Sequence, residues 1–179
     1  DDNEITRKES DLFIKLLELN PSDKVLDLCC GQGRHSIELT CRGFQNVIGV
    51  DRSRYLISRA KQNAKKLNLP VKFREGDARK LTYSNDYFDA VLLLGNSFGY
   101  FETVHDDLLV LKGILRTLRP GGKLLLDVSD GEFLVNNYQK RSWEWISNKY
   151  FVCRERSLSR DGEKLISREI FLKVNDLLN

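Results

Sequence analysis

Apolar positions recur along this chain with two different periods. Through residues 5–19 they fall at Leu12, Phe13, Leu16, Leu17 and Leu19, the three-and-four spacing of one helix face, and Asn20-Pro21 stops the run. Residues 24–29 (KVLDLC) predict a short strand, and Gly31-Gln32-Gly33 a tight turn. A helix follows over residues 34–42 and ends at Gly43. Residues 46–50 (NVIGV) predict a second strand, which terminates at Asp51. Ser53 is placed to cap a helix running to about Leu67, where Asn68-Leu69-Pro70 breaks it. Residues 71–74 predict a third strand, 88–94 (FDAVLLL) a fourth, and 123–128 (KLLLDV) a fifth. Between the last two, residues 103–118 predict a helix closed by Pro120-Gly121-Gly122.

Five apolar strands alternating with helices predict an α/β fold with a parallel sheet covered on both faces. Right-handed crossovers make such a sheet doubly wound. After Ser129 the pattern changes. Residues 130–137 read as a short helix, and 150–158 and 164–174 as strands with charged alternate positions. They are joined by Ser159-Arg160-Asp161-Gly162-Glu163, in which Asp-Gly is a hairpin turn signal. The expectation is one domain over 1–179: a ligand-binding core over 1–129, and a helix and antiparallel hairpin over 130–179 added to the parallel sheet. Trp143 and Trp145 flank Glu144 at period two, which suits packing of that hairpin on the sheet.

Composition narrows the class. At 179 residues, 41% hydrophobic and 31% charged, the chain has enough apolar material for one core without staples. Its longest apolar runs are too short to cross a bilayer, so no membrane partner is expected. Twenty-nine basic residues against 26 acidic ones leave +3, too weak a bias to imply nucleic acid. Of four cysteines, Cys29 and Cys30 are adjacent and no C-x-x-C pair occurs, which disfavours both a disulfide framework and a metal site. No signal peptide opens the sequence, and the expected compartment is the reducing cytoplasm. The chain holds no methionine at all. Either residues are missing at one or both ends, or modified methionines have dropped out of the written sequence.

The chemistry sits at strand ends. Asp27-Leu28-Cys29-Cys30-Gly31-Gln32-Gly33 joins the first strand to its helix, and glycines there let a ligand approach the backbone. The helix beyond offers unpaired N–H groups and partial positive charge. Asp51, at the end of the second strand, is placed to accept from both hydroxyls of a ribose. These are the parts of a nucleoside site at the carboxyl ends of strands. The G-x-G-x-x-G fingerprint of dinucleotide sites is broken by Ser36, and the phosphate-loop, G-x-S-x-G and H-E-x-x-H signatures are missing.

With those residues in place, the chain resembles the class I S-adenosylmethionine-dependent methyltransferases of small-molecule type. VLDLCCGQGR (25–34) resembles the first family motif, with Cys29 where glycine is more usual. VIGVDR (47–52), REGDA (74–78), FDAVLLLGNSF (88–98) and LRPGGKLLLDV (118–128) resemble the later ones in order. The resemblance implies S-adenosylmethionine as cofactor, held by Cys29, Gly31, Gly33, Asp51, Arg52, Gly76, Asp77, Ala78, Leu94, Gly95 and Asn96. In that reading Gly31 and Gly33 pass the methionine part, Asp51 holds the ribose diol and Arg52 flanks the adenine. Asp77 accepts from the adenine amine while the Ala78 N–H donates to the ring. The Leu94 carbonyl and Gly95 turn lie near the methionine amine, and Asn96, Ser97 and Phe98 line the border with the substrate. The implied reaction is in-line displacement of the methyl group by a small-molecule nucleophile, with no metal and no assigned general base.

His35 reads as a packing or capping residue and His105 as part of a helix first turn. Tyr100 and Phe101 read equally as pocket wall or as core. The aromatic motif of nucleic-acid adenine enzymes is absent after the fourth strand, where Gly95-Asn96-Ser97-Phe98 stands. Two other readings stay open: a nicotinamide-dependent oxidoreductase, and a cofactor-binding protein without transfer activity.

Overall fold

A computed structural model describes residues 2–146 and 149–173. They fall into two compact units, Asp1–Val128 and Ser129–Asn179.

The first unit alternates helix and strand. Helix α1 spans Asp2–Leu17, strand β1 Lys24–Leu28, α2 Arg34–Cys41, β2 Asn46–Asp51, α3 Arg54–Lys66 and β3 Lys72–Glu75. Then come β4 at Phe88–Leu93, α4 at Val104–Thr117 and β5 at Leu118–Leu126. The five strands form one parallel sheet in the order β3-β2-β1-β4-β5. Successive residues of β1, β2 and β4 serve opposite faces. Leu26, Leu28, Ile48, Val50, Val91 and Leu93 meet Val110 and Ile114 of α4, while Val25, Val47, Ala90 and Leu92 meet Phe13 and Leu17 of α1. Two buried faces are why these strands read as continuous apolar runs rather than as alternation.

The fifth strand differs from its prediction. Pro120-Gly121-Gly122 does not stand between α4 and a strand beginning at Lys123; the strand already starts at Leu118. Phe88 pairs with Leu118 and Ala90 with Lys123, so residues 119–122 bulge out of register. Gly121 takes φ 78°, and the Arg119 guanidinium pairs with Asp89 across the bulge. A bulge absorbs the turn residues without ending the strand.

In the second unit Asp130 caps α5 (Gly131–Asn137), its carboxylate accepting from the Phe133 N–H at 3.1 Å. Three antiparallel strands follow: β6 at Arg141–Ile146, β7 at Tyr150–Leu158 and β8 at Leu165–Lys173. The predicted β7–β8 hairpin turns at Gly162, with φ 77°, and closes through Ser159 N–H to the Lys164 carbonyl at 2.8 Å. Two corrections apply. The hairpin does not extend the parallel sheet; β7 is the middle strand of a separate sheet ordered β6-β7-β8. Trp143 and Trp145 belong to β6 itself, beside Phe151 at ring-centroid distances of 5.5 and 5.0 Å. Val174, the last residue of the predicted strand, lies outside the described residues.

Candidate functional site

The sheet order reverses between β1 and β4: the chain runs outward through β2 and β3, then returns to β4 on the other side of β1. Loops leaving the carboxyl ends of β1 and β4 therefore diverge and leave a crevice, the place where open α/β sheets take ligands. The loop after β1 is built from left-handed residues, Cys29 at φ 60°, Gly31 at 56° and Gly33 at 79°. It is pinned by Cys30 N–H to the Val50 carbonyl at 3.0 Å and by Gly33 N–H to the Cys30 carbonyl at 2.9 Å. The Gly31 N–H reaches across to Asp51 Oδ2 at 2.9 Å, and Ser53 N–H donates to Asp51 Oδ1 at 2.8 Å. Two backbone donors thus fix the Asp51 carboxylate at the rim and leave it further acceptor capacity.

The crevice has two lobes. The larger, about 340 Å³, lies over the ends of β1, β2 and β4, with Leu28, Val50, Leu93 and Val110 in its apolar floor. Asp51, Arg52, Gly76, Asp77 and Ala78 border it on one side, and Asn96, Phe98, Tyr100 and Phe101 on the other. The smaller, about 260 Å³, is lined by Asp27, Cys30, Gly31, Gln32, Arg34, His35 and Leu94. Cys29, Gly95 and Ser97 border both, so the two lobes adjoin along these residues.

Each lobe carries a perturbed acid. In the larger, Asp77 accepts from Arg79 Nη2 at 2.6 Å, from its Nε and from its backbone N–H at 2.9 Å. These bonds hold the Asp77 carboxyl at about 2. Arg79 also bonds Asp106 Oδ1 at 3.0 Å and lies over the Phe101 ring at 4.7 Å. In the smaller lobe Asp27 is 2% exposed, and burial pushes its carboxyl up against the opposing Ser36 hydroxyl, which donates to Oδ2 at 2.6 Å. His35 beside it is buried, its Nε2 2.9 Å from Glu9 Oε2 of α1 and its ring edge-on to Phe13. Burial works to raise Glu9, but its bonds to His35 and Arg34 outweigh that and lower it.

The thiols are poor nucleophiles here. Burial, then the charges of Asp51, Asp27 and Asp77, raise Cys29 to about 11, and burial pushes Cys30 up as well. His105 is exposed in the first turn of α4, whose cap is Thr103, accepting from the Asp106 N–H at 3.2 Å. Among the described residues, no group of three His, Cys, Asp or Glu is placed to hold a metal ion.

Residues 25–122 match a family model described as a methyltransferase domain. The chain belongs to the class I S-adenosylmethionine-dependent methyltransferases. The cofactor of this family is S-adenosylmethionine. Within it, the chain is 37% identical to YqeM of Bacillus subtilis over 120 residues, 66% of this chain and 48% of that protein. It is 36% identical to the glycine/sarcosine N-methyltransferase of Parasynechococcus marenigrum, again over 66% of this chain and 42% of the relative. The chain therefore spans about half the length of the curated relatives it matches. Among solved structures, the PH0226 protein of Pyrococcus horikoshii superposes with a TM-score of 0.68 at 30% identity, over 88% of this chain and 69% of that one.

The residues of this methyltransferase domain suit that cofactor. A Cβ on Gly31 would meet nothing within 4 Å, so the backbone there lies open to the crevice. The apolar floor is rimmed by acids placed to take hydroxyl and amine donors. Of the residues expected to hold the cofactor, Asp51, Arg52, Gly76, Asp77, Ala78 and Asn96 lie on the larger lobe, Gly31 and Leu94 on the smaller, and Cys29 and Gly95 on both. Gly33 lines neither. A Cβ there would come within 2.5 Å of the Phe73 ring and 3.1 Å of Ala60, so its glycine serves packing between α2, α3 and β3. Sequence reasoning passed over Asp27, Arg34 and the apolar floor, and read His35 as a packing or capping residue. Asp27 had a signal, a lone acid inside an apolar strand followed by Ser36 at the third fingerprint position.

Proposed function

We propose that this chain is the catalytic part of a cytoplasmic enzyme that methylates a small-molecule nucleophile. It would hold the nucleoside half of S-adenosylmethionine in the larger lobe and the amino-acid half in the smaller one. The observation that carries this reading is that the two lobes adjoin at Cys29, Gly95 and Ser97, with Asp51 and Asp77 bordering one and Asp27 the other. When bound, the cofactor supplies an electrophilic methyl group on a sulfonium, open to in-line displacement without a metal.

The chain's own part is to bind, align and exclude water. Asp51, fixed by Gly31 and Ser53, is the acceptor for a ribose diol. The Ala78 N–H and the Asp77 carboxylate face the purine end. The Leu94 carbonyl, which already accepts from Ser97 Oγ at 2.7 Å, keeps a second lone pair for an ammonium donor beside Asp27. Phe98, Tyr100 and Phe101 wall the larger lobe, and Asn96 and Ser97 stand where an acceptor would enter.

Relatives named for glycine or sarcosine and for demethylmenaquinone support a small-molecule acceptor. The cytoplasmic assignment is supported by four unpaired cysteines. Both units are read as one methyltransferase domain, the second a C-terminal addition to the first.

Calorimetric titration with S-adenosylhomocysteine, with NAD as control, tests the reading. Micromolar affinity for the first and none for NAD is expected, with Asp51→Ala weakening binding about a hundredfold, or about 3 kcal/mol. Preference for NAD would replace methyl transfer with hydride transfer.

A further inference from the structure

The loop between β4 and α4 forms one wall of the larger lobe. Gly95, Asn96 and Gly99 all take left-handed φ, at 64°, 55° and 84°. Its first half is tied to the end of β5: Gly95 N–H donates to Asp127 Oδ2 at 3.0 Å and Asn96 N–H to the Asp127 carbonyl at 3.2 Å. Its second half carries the aromatic wall, and there one side chain from a different loop intervenes. Arg79, just past β3, grips Asp77 with Nε and Nη2, reaches Asp106 at the start of α4 with Nη1, and lies over Phe101. Asp106 is itself held, its Oδ2 accepting from Thr103 Oγ1 at 2.9 Å. Both carboxylates and the ring thus converge on one guanidinium, a planar fork that stacks and bonds at once in a way an ammonium does not.

We infer that Arg79 is a positioning residue of the nucleoside lobe: gripping Asp77, Asp106 and Phe101 together, it holds the Phe98–Phe101 wall in place, and cofactor affinity depends on that grip. This rests on the reading of the larger lobe as the nucleoside half of the site. Arg79 does not line the lobe itself. It acts through the two lining residues it touches, Asp77 and Phe101.

The test compares the wild type with Arg79→Ala, Arg79→Lys and Asp106→Asn. Two ligands are titrated, S-adenosylhomocysteine and 5′-methylthioadenosine, which lacks the amino-acid part. Hydrogen exchange of the unliganded chains is followed in parallel. Arg79→Ala is expected to weaken both ligands by the same factor, about tenfold. Amides of residues 96–101 should exchange faster while those of β1 and β4 stay as in the wild type. Arg79→Lys should recover only part of the loss, and Asp106→Asn, a change at the helix end alone, should give a smaller loss of the same kind. Wild-type affinity in Arg79→Ala would overturn the inference. So would weakened binding with unchanged exchange in the wall, because the loss would then belong to Asp77 alone. If the wild type binds neither ligand, the proposed function falls and exchange alone decides the grip: faster exchange at 96–101 supports it, and unchanged exchange refutes it.

Discussion

Asp77 and Asp27 stand in the two lobes of one crevice, and their surroundings push them in opposite directions. Asp77 sits at a partly open rim, where the Arg79 guanidinium holds its carboxyl at about 2. Asp27 lies inside β1 at 2% exposure, where burial raises its carboxyl and the Ser36 hydroxyl only partly offsets that. The lesson is that the lobes are organised by different means. The larger lobe is shaped by the ion pairs of Arg79 with Asp77 and Asp106, which salt and substitution can loosen. The smaller lobe is shaped by core packing under α1, where a polar group is costly unless paired.

The sharpest way to test the comparison uses the two glycines of the β1 turn. Gly33→Ala should destabilise the fold by about 3 kcal/mol, because its Cβ would press on Phe73 and its φ is left-handed. Gly31→Ala should cost stability only about 1 kcal/mol, for its φ alone, while cutting S-adenosylhomocysteine affinity, since the new methyl projects toward the crevice. Urea midpoints and calorimetry separate the two; equal effects of both substitutions on stability would refute the division of labour.

A second, smaller effect concerns the buried acid. Asp27→Asn keeps an acceptor for Ser36 and removes a buried charge. Stability at neutral pH should therefore hold or rise, while S-adenosylhomocysteine binding falls about tenfold through loss of charge near the ammonium. A clear loss of thermal stability would mean that the Asp27 charge is a structural asset.

The smallest effect is in pH dependence, and its sign differs between the lobes. For Asp77 the folded value lies below the ordinary aspartate value of 3.8, so its contribution to stability is full above about 4 and is lost as pH falls toward about 2. For Asp27 the folded value lies above 3.8, so its contribution is most favourable at low pH and is lost as pH rises through the folded value. Carboxyl carbon shifts followed by NMR should place the two midpoints on opposite sides of the ordinary aspartate value. Midpoints on the same side would remove the contrast.

Much of this was legible in the sequence because strands buried on both faces leave unbroken apolar runs, and the turns between them need glycine, proline or a capping side chain. The five parallel strands, the helix starts at Ser53 and Asp130, and the Asp51 terminus could be read directly. Less was legible where one signal serves two ends. Pro120-Gly121-Gly122 reads as a turn, and only the pairing of Phe88 with Leu118 made it a bulge. Trp143 and Trp145 were visible as a period-two pair, but a strand of six residues with Arg141 and Glu144 in it has little apolar pattern of its own, and its partner β7 decided it.

By itself the sequence determined the order of elements, the family and two of the acids that border the crevice, Asp51 and Asp77, because these depend on local periodicity and on motifs contiguous in the chain. Only the tertiary structure decided which glycine faces the ligand and which faces Phe73, that α1 brings Glu9 to His35, and that Arg79 ties its own loop to the loop after β4 and to the start of α4. Those relations connect residues distant along the chain, so no local pattern encodes them. They are fixed when packing places the strand ends side by side and each polar group, removed from water, has to find its partner.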